Sequence, residues 1–350
     1  MQKIGICGHF ADGKNIINGQ IVKTKIVTDE LRSVYGNEQI TLLDTHGWKT
    51  NPFKLLLGVI SLIRNSEHVI ILPAKRGVKV FVPLFAYLNR FFNRKLHYVV
   101  IGGWLPDMVQ SHPALRKSLQ RFSGIYVETH SMIATLNVIG LHNVYFLPNF
   151  KPLSIISDSE LSSPQTTPFH LCTFSRVMRE KGIEDAITAV RSINTRMGQT
   201  IFTLDIYGQV EQGYEEQFSQ LQKSFPEYIH YKGLVPFDQS VAVLKNYFAL
   251  LFPTFYEGEG FPGTVLDAFS AGLPVIASDW KYNREIITDH TTGLIFGIGS
   301  DALSEMLDTL SNNPDLINRM RPACLIEAHK YNPKIVIRSF ISQMNGNSHV

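Results

Sequence analysis

Residues 256–279 read Tyr256-Glu-Gly-Glu-Gly-Phe-Pro-Gly-Thr-Val-Leu-Asp-Ala-Phe-Ser-Ala-Gly-Leu-Pro-Val-Ile-Ala-Ser-Asp279. An apolar run at 250–252 leads into this acidic, glycine-rich turn. Pro262 suits the first turn of a helix and Gly272 suits its end, so a helix is expected over 263–271. The apolar run 274–277 then reads as a buried strand. Strand, loop, helix and strand in succession make one unit of a parallel sheet.

The same alternation extends in both directions. Upstream and downstream, strands are expected at 169–174, 200–207, 229–231, 249–252 and 293–296. Helices fall between them at 182–196, 211–224, 238–247, 283–287 and 301–311. The first half repeats the pattern, with strands at 3–7, 39–44, 68–72, 96–101, 124–127 and 143–147 and helices at 21–31, 53–63, 80–92, 115–122 and 131–139. Residues 151–168 are rich in Ser, Thr and Pro and read as a linker. The fold class expected is α/β, with two doubly wound Rossmann-like domains facing across a cleft. The domains are 1–150 and 169–330, with 151–168 between them and a carboxy-terminal segment at 331–350. Ligands of such sheets bind at the carboxyl ends of the strands.

A chain of 350 residues exceeds one compact core, which agrees with two domains. With 44% hydrophobic and 18% charged residues, it is neither disordered nor fibrous. Cys7, Cys172 and Cys324 are odd in number and far apart, so neither a disulfide framework nor a structural zinc site is expected. The longest apolar runs, 55–63 and 80–88, are too short to span a bilayer, and a cytoplasmic location is expected. Charge is uneven. Residues 1–150 hold 17 Lys and Arg against 8 Asp and Glu, a net of +9; residues 151–350 hold 16 against 22, a net of −6. A basic half suggests an anionic partner. The basic-edged apolar stretches 53–64 and 80–95, with Lys79, Arg90, Arg94 and Lys95, suit either an anionic membrane surface or simple cover for the sheet.

The chemistry concentrates in two loops. Gly260, Gly263 and Thr264 present backbone N–H groups at a helix N-terminus, a ready anion site. Glu259 precedes that site and Asp267 follows it by about one turn. Carboxylates beside a phosphate site make sense if they bind hydroxyls, as a sugar nucleotide would offer. In the second loop, Phe174-Ser-Arg-Val-Met-Arg-Glu-Lys-Gly182, the cations Arg176 and Lys181 are placed to converge on one diphosphate. The plain alternatives are solvated loop charges.

The 256–279 phrase resembles the signature of the retaining family 4 glycosyltransferases of the GT-B fold. In that family an acidic Gly-Phe turn opens a helix, and a second acid follows after seven residues. Glu259 and Asp267 keep this spacing, although Asp stands where the family has Glu, one methylene longer. Residues 174–187 resemble the family's phosphate-gripping element, with Ser175 in place of Gly. The run ending at Gly208 resembles a further family strand. The run 231–235, ending at Val235, resembles the segment that meets the nucleobase. Ile17-Asn-Gly-Gln20, with Gly19, resembles the family's glycine loop. The family often has a His after its fourth strand, and residues 101–106 hold none.

The resemblance implies a retaining, metal-independent glycosyltransferase with no cofactor. Its donor would be a nucleoside-diphosphate sugar such as a UDP-sugar. Its acceptor would be a saccharide or polyprenyl-linked saccharide, as in polysaccharide biosynthesis. It implies donor contacts from Gly19, Arg176, Lys181, Gly208, Val235, Glu259, Gly260, Phe261, Gly263, Thr264 and Asp267. Glu259, Arg176 and Lys181 would be the catalytic set. It also implies that residues 331–345 return to the first domain. A sugar-nucleotide epimerase of the same architecture, or a protein that only binds nucleotide or saccharide, stays open. Neither nucleic acid nor metal is expected as a partner.

Overall fold

The computed structural model describes residues 2–11, 19–161 and 166–346. The chain divides into two compact units. Unit 1 is Met1–Lys151 with Asn332–Val350, and unit 2 is Pro152–Tyr331.

Unit 1 alternates β1 (Ile4–Gly8), α1 (Gly19–Tyr35), β2 (Ile40–Asp44), α2 (Pro52–Asn65), β3 (His68–Ile71), α3 (Val78–Leu88), β4 (Lys95–Val99), α4 (Leu105–Ser111), α5 (Pro113–Leu119), β5 (Gly124–Val127), α6 (His130–Val138) and β6 (Val144–Phe146). The six strands are parallel in the order β2-β1-β3-β4-β5-β6. Strands β1, β3 and β5 are buried at every position, as a sheet covered on both faces requires.

Unit 2 repeats the plan with β7 (Phe169–Phe174), α7 (Ile183–Met197), β8 (Phe202–Tyr207), α8 (Glu215–Gln222), β9 (Ile229–Gly233), α9 (Ser240–Leu244), β10 (Ala249–Phe252), α10 (Gly263–Ser270), β11 (Val275–Ser278), α11 (Asn283–Ile286), β12 (Gly293–Phe296), α12 (Ser300–Asn312) and α13 (Asp315–His329). The order is β12-β11-β10-β7-β8-β9, again parallel. The chain builds outward from β7 in one direction and then, from β10, in the other. The adjacent ends of β7 and β10 are therefore the topological switch point of this sheet. The expectation of two doubly wound parallel sheets is met.

Two expectations are corrected and a third is narrowed. First, most of 151–168 is not a free linker. The Ile156 N–H donates to the Ser270 carbonyl at 3.0 Å. Leu153, Ile155 and Ile156 pack on the core of unit 2, and Lys245 pairs with Glu160 at 3.1 Å. Three apolar side chains outweigh the Ser and Pro composition. Second, α13 was not expected. Its buried stripe is interrupted by Arg321, which is 1% exposed and donates to the carbonyls of Gly272, Tyr247 and Phe248. Third, the stretch 80–95, open between a membrane surface and cover for the sheet, turns part of its length inward. Phe81, Val82, Phe85 and Ala86 are buried within unit 1.

The last helix, α14 (Pro333–Met344), belongs to unit 1. Its Val336, Ile337, Phe340 and Met344 join a core that includes Ile4, Ile6, Val27, Leu31 and Tyr126. Phe340 meets Tyr126 edge to face at 4.6 Å. Tyr126 in turn bonds His97, and His97 stacks on His68 with Nε2 3.0 Å from His68 Nδ1. Among the described residues, no helix is long and apolar enough to cross a membrane.

Candidate functional site

The loops that leave β7 and β10 meet at the switch point of unit 2. The β7 loop is shaped by pairing with the chain beyond β8. Val177 N–H donates to the Gln209 carbonyl at 2.8 Å, and Glu211 N–H donates to the Val177 carbonyl at 3.0 Å. This close approach requires Gly208, at φ +135°, because a Cβ there would overlap the Ser175 carbonyl oxygen. The pairing sets Glu211 opposite Arg176, whose Nη1 is 2.9 Å from Glu211 Oε2. The loop then makes one tight turn, Arg179–Lys181, and ends at Gly182 with φ +71°. A Cβ on Gly182 would overlap the Pro253 carbonyl oxygen, so the two loops touch through backbone. Phe255 N–H closes the contact by donating to the Glu180 carbonyl at 2.8 Å.

This crossing delivers Lys181 to Glu259. The Lys181 ammonium donates to Glu259 Oε2 at 2.5 Å, and both side chains are buried. Thr254 hydroxyl donates to the same oxygen at 2.9 Å and accepts the Tyr256 N–H at 3.2 Å. A buried ion pair holds only when further hydrogen bonds meet its remaining capacity, and Thr254 supplies one. The Tyr256 ring collects both cations. Arg176 Cζ lies 5.3 Å and Lys181 Nζ 5.2 Å from its centroid, within cation–π range. Trp280 Nε1 fixes Tyr256 by donating to its carbonyl at 2.9 Å. Burial, offset by the hydrogen bond to Tyr256 and the charge of Glu211, leaves the Arg176 guanidinium raised above its usual range.

Beyond Glu259 the chain enters α10 through Pro262, and no side chain caps the helix. The Thr264 hydroxyl, in the first turn, is buried with no hydrogen-bond partner among the described residues. An orphaned hydroxyl beside an uncapped helix N-terminus suits an anionic or hydroxylated ligand.

The structure thus gathers Arg176, Lys181, Glu259, Gly260, Gly263 and Thr264 on two adjoining loops and the start of α10. Asp267 is buried inside α10. Gly208 shapes the β7 loop, and Val235 follows β9, half-buried. The Phe261 ring packs edge-on against Tyr331 at 4.8 Å, so its side chain serves the core. Gly19 belongs to unit 1, as the exposed first residue of α1. Ile17 and Asn18, of the same expected loop, lie outside the described residues. Glu257, two residues before Glu259, is exposed and pairs with Lys281 at 2.9 Å, and Arg179 of the β7 loop is exposed. Sequence reasoning missed Glu211, the Tyr256 ring and the Thr254 hydroxyl. Tyr256 opens the quoted phrase and Thr254 stands two residues before it, but nothing in the sequence marks Glu211.

Part of the chain is similar to known proteins. Residues 157–324 match the family described as glycosyl transferases group 1. An uncharacterised glycosyltransferase of Methanocaldococcus jannaschii is 24% identical over 146 residues, 41% of this chain and 36% of that protein. The GtfA subunit of the UDP-N-acetylglucosamine–peptide N-acetylglucosaminyltransferase of Streptococcus gordonii is 28% identical over 168 residues, 46% of this chain and 31% of that protein. The matches span about a third of the length of these relatives. The structure of Anabaena HepE in complex with UDP aligns over 98% of this chain and 100% of its own, with a TM-score of 0.77 at 13% identity. The fold is therefore GT-B, and the unit that brings Lys181 to Glu259 is similar to glycosyl transferases group 1.

Proposed function

We propose that this chain is a retaining glycosyltransferase that moves a sugar from a nucleoside-diphosphate sugar to a saccharide or polyprenyl-linked saccharide acceptor. The observation that carries this reading is the buried Lys181–Glu259 pair at the switch point, beside the uncapped α10 and its orphaned Thr264 hydroxyl. A UDP-sugar is the favoured donor. HepE is known in complex with UDP and with UDP-glucose, and pneumococcal GtfA with UDP and GlcNAc.

In this reading the transition state divides charge. The sugar becomes oxocarbenium-like, and the departing diphosphate gains negative charge. Arg176, Lys181 and the N–H groups of Gly263 and Thr264 stabilise the diphosphate, each preorganised by the loop crossing. These cations and dipoles do the work a metal ion performs elsewhere, so none is required. Glu259 holds sugar hydroxyls. Asp267 holds the ribose, and Val235 meets the base through its backbone. Gly19 is assigned to the donor, and the basic unit 1 to the acceptor side.

A panel of nucleotide-sugars tests this by thermal shift, since a ligand that binds only the folded state raises the melting temperature. A UDP-sugar is expected to stabilise the chain, and product NMR is expected to show the donor's anomeric configuration kept. A panel in which no nucleoside diphosphate shifts melting overturns the proposal. Inversion in the product overturns its retaining part alone.

A further inference from the structure

Each cation of the two crossed loops has a carboxylate of its own. Lys181 Nζ stands 2.5 Å from Glu259 Oε2, and Arg176 Nη1 stands 2.9 Å from Glu211 Oε2. Cations and carboxylates balance one for one. A diphosphate brings further negative charge, so its arrival calls for a cation released from its carboxylate. The two pairs differ in how easily they part. The Lys181 and Glu259 side chains are 9% and 8% exposed, and the Thr254 hydroxyl donates to the same Glu259 oxygen. Parting them leaves buried charge without compensation. The Arg176 and Glu211 side chains are 46% and 40% exposed. Water solvates either of them on parting, and such a pair is held only weakly. The exchange therefore falls on Glu211.

Glu211 is not an incidental surface partner. It stands in the loop between β8 and α8, and its backbone is tied to the β7 loop. Glu211 N–H donates to the Val177 carbonyl at 3.0 Å, and Val177 N–H donates to the Gln209 carbonyl at 2.8 Å. Val177 and Val210 thus form an isolated parallel bridge. The bridge keeps Glu211 within reach of Arg176 whether or not the two side chains are paired. Arg176 has a second hold. The Tyr256 side chain hydrogen-bonds it, and the Tyr256 ring centroid lies 5.3 Å from its Cζ. A guanidinium is a fork of several N–H donors, and Glu211 meets it at Nη1. Kept in place by Tyr256, the fork can change partner without changing position.

We infer that Glu211 is an exchange partner for Arg176: its carboxylate yields the guanidinium to the donor's diphosphate and takes it back as the nucleoside diphosphate leaves. Glu211 is a positioning residue that acts through Arg176. It lowers affinity for the nucleotide and hastens its release. The need for such a device follows from charge. Once the sugar is gone, the product's terminal phosphate is more negative than it was in the donor. Cations arranged to stabilise that charge would also retain the product, and product release limits turnover in many enzymes. A rival carboxylate on the same loop pair opposes that retention. The inference rests on the proposed reading of Arg176 as a diphosphate ligand.

The test is a double-mutant cycle on the full chain, read by calorimetry with UDP, GDP and ADP and followed with whichever the wild type binds. Glu211→Gln keeps the shape of the side chain and removes its charge. It is expected to bind that nucleotide about tenfold tighter, mainly through slower release of the mant-labelled form in stopped flow. In an Arg176→Ala background the same substitution is expected to change affinity by less than about threefold. Melting without nucleotide is expected to stay unchanged, because the pair is exposed. Glu216→Gln alters net charge equally at an exposed acid of α8 and is expected to leave affinity as it was. Unchanged or weaker nucleotide binding by Glu211→Gln overturns the inference alone. So does equal tightening in the Arg176→Ala background or by Glu216→Gln. A wild type that binds none of the three nucleotides overturns the proposed function, and the inference with it.

Discussion

Lys181 and Glu259 are 78 positions apart and share one buried hydrogen bond. Breaking a buried pair by removing one partner costs about 3–5 kcal/mol, because the other charge is left without compensation. Glu259→Gln is milder, since its amide oxygen still accepts from Lys181. It is expected to leave a folded protein that loses transfer by about tenfold or more, as removal of a preorganised charged contact does. Full turnover in this variant would take Glu259 out of the reaction. Arg176 is different in kind. Its partner Glu211 is about two-fifths exposed, and such a surface pair contributes little to stability. Arg176→Ala is therefore expected to leave melting nearly unchanged while slowing transfer about tenfold or more. Loss of melting temperature without loss of transfer would assign Arg176 to the fold instead.

At the scale of elements, the site depends on two backbone crossings rather than on long side chains. Gly182→Ala meets both a left-handed φ and the Pro253 carbonyl. It is expected to cost on the order of 2 kcal/mol or more and to weaken UDP binding, read by calorimetry beside a melting curve. Normal binding and melting would show that the loops can separate freely. The β-strands of both sheets were legible in the sequence because buried parallel strands read as short apolar runs, as at Phe169–Phe174 and Gly293–Phe296. Helix α13 was not, because a buried Arg321 looks like a surface residue until its three carbonyl acceptors are seen. Glu259 and Lys181 were legible as site residues through their phrases. That they bond each other was not, since the pairing is made by loops from non-adjacent parts of the chain. The sheet of unit 1 adds a pH dependence. Burial, with help from His68 and Lys95, pushes His97 down to about 3, and burial also lowers His68. His97 is therefore neutral in the folded unit and gains a proton on unfolding below the ordinary value of 6.5. Its contribution is whole above that value and is lost as pH falls from it toward 3. Stability of unit 1 is expected to fall by up to about 1.4 kcal/mol per pH unit in that window. A denaturation midpoint flat between pH 7 and 5, or His97→Gln leaving the slope unaltered, would remove His97 as its cause.

For the whole molecule, the chain passes from unit 1 to unit 2 after Lys151 and back after Tyr331. Truncation after Tyr331 therefore strips the first unit and not the second. It removes Val336, Ile337, Phe340 and Met344 from the core around Tyr126. At about 1.5–3 kcal/mol for each buried side chain, the loss is on the order of the entire stability of a domain. The truncated chain is expected to keep a cooperative melting transition for unit 2 and to lose that of unit 1. Two intact transitions would show that α14 is dispensable. The same feature sets an order of events during synthesis. When Tyr331 has left the ribosome, every strand of the second sheet is available, while the first sheet still lacks the helix that seals its core. The half of the protein made first is thus the half that finishes last. Until then the nascent chain holds the faces of Ile4, Ile6 and Tyr126 open to whatever chaperone or neighbour reaches them.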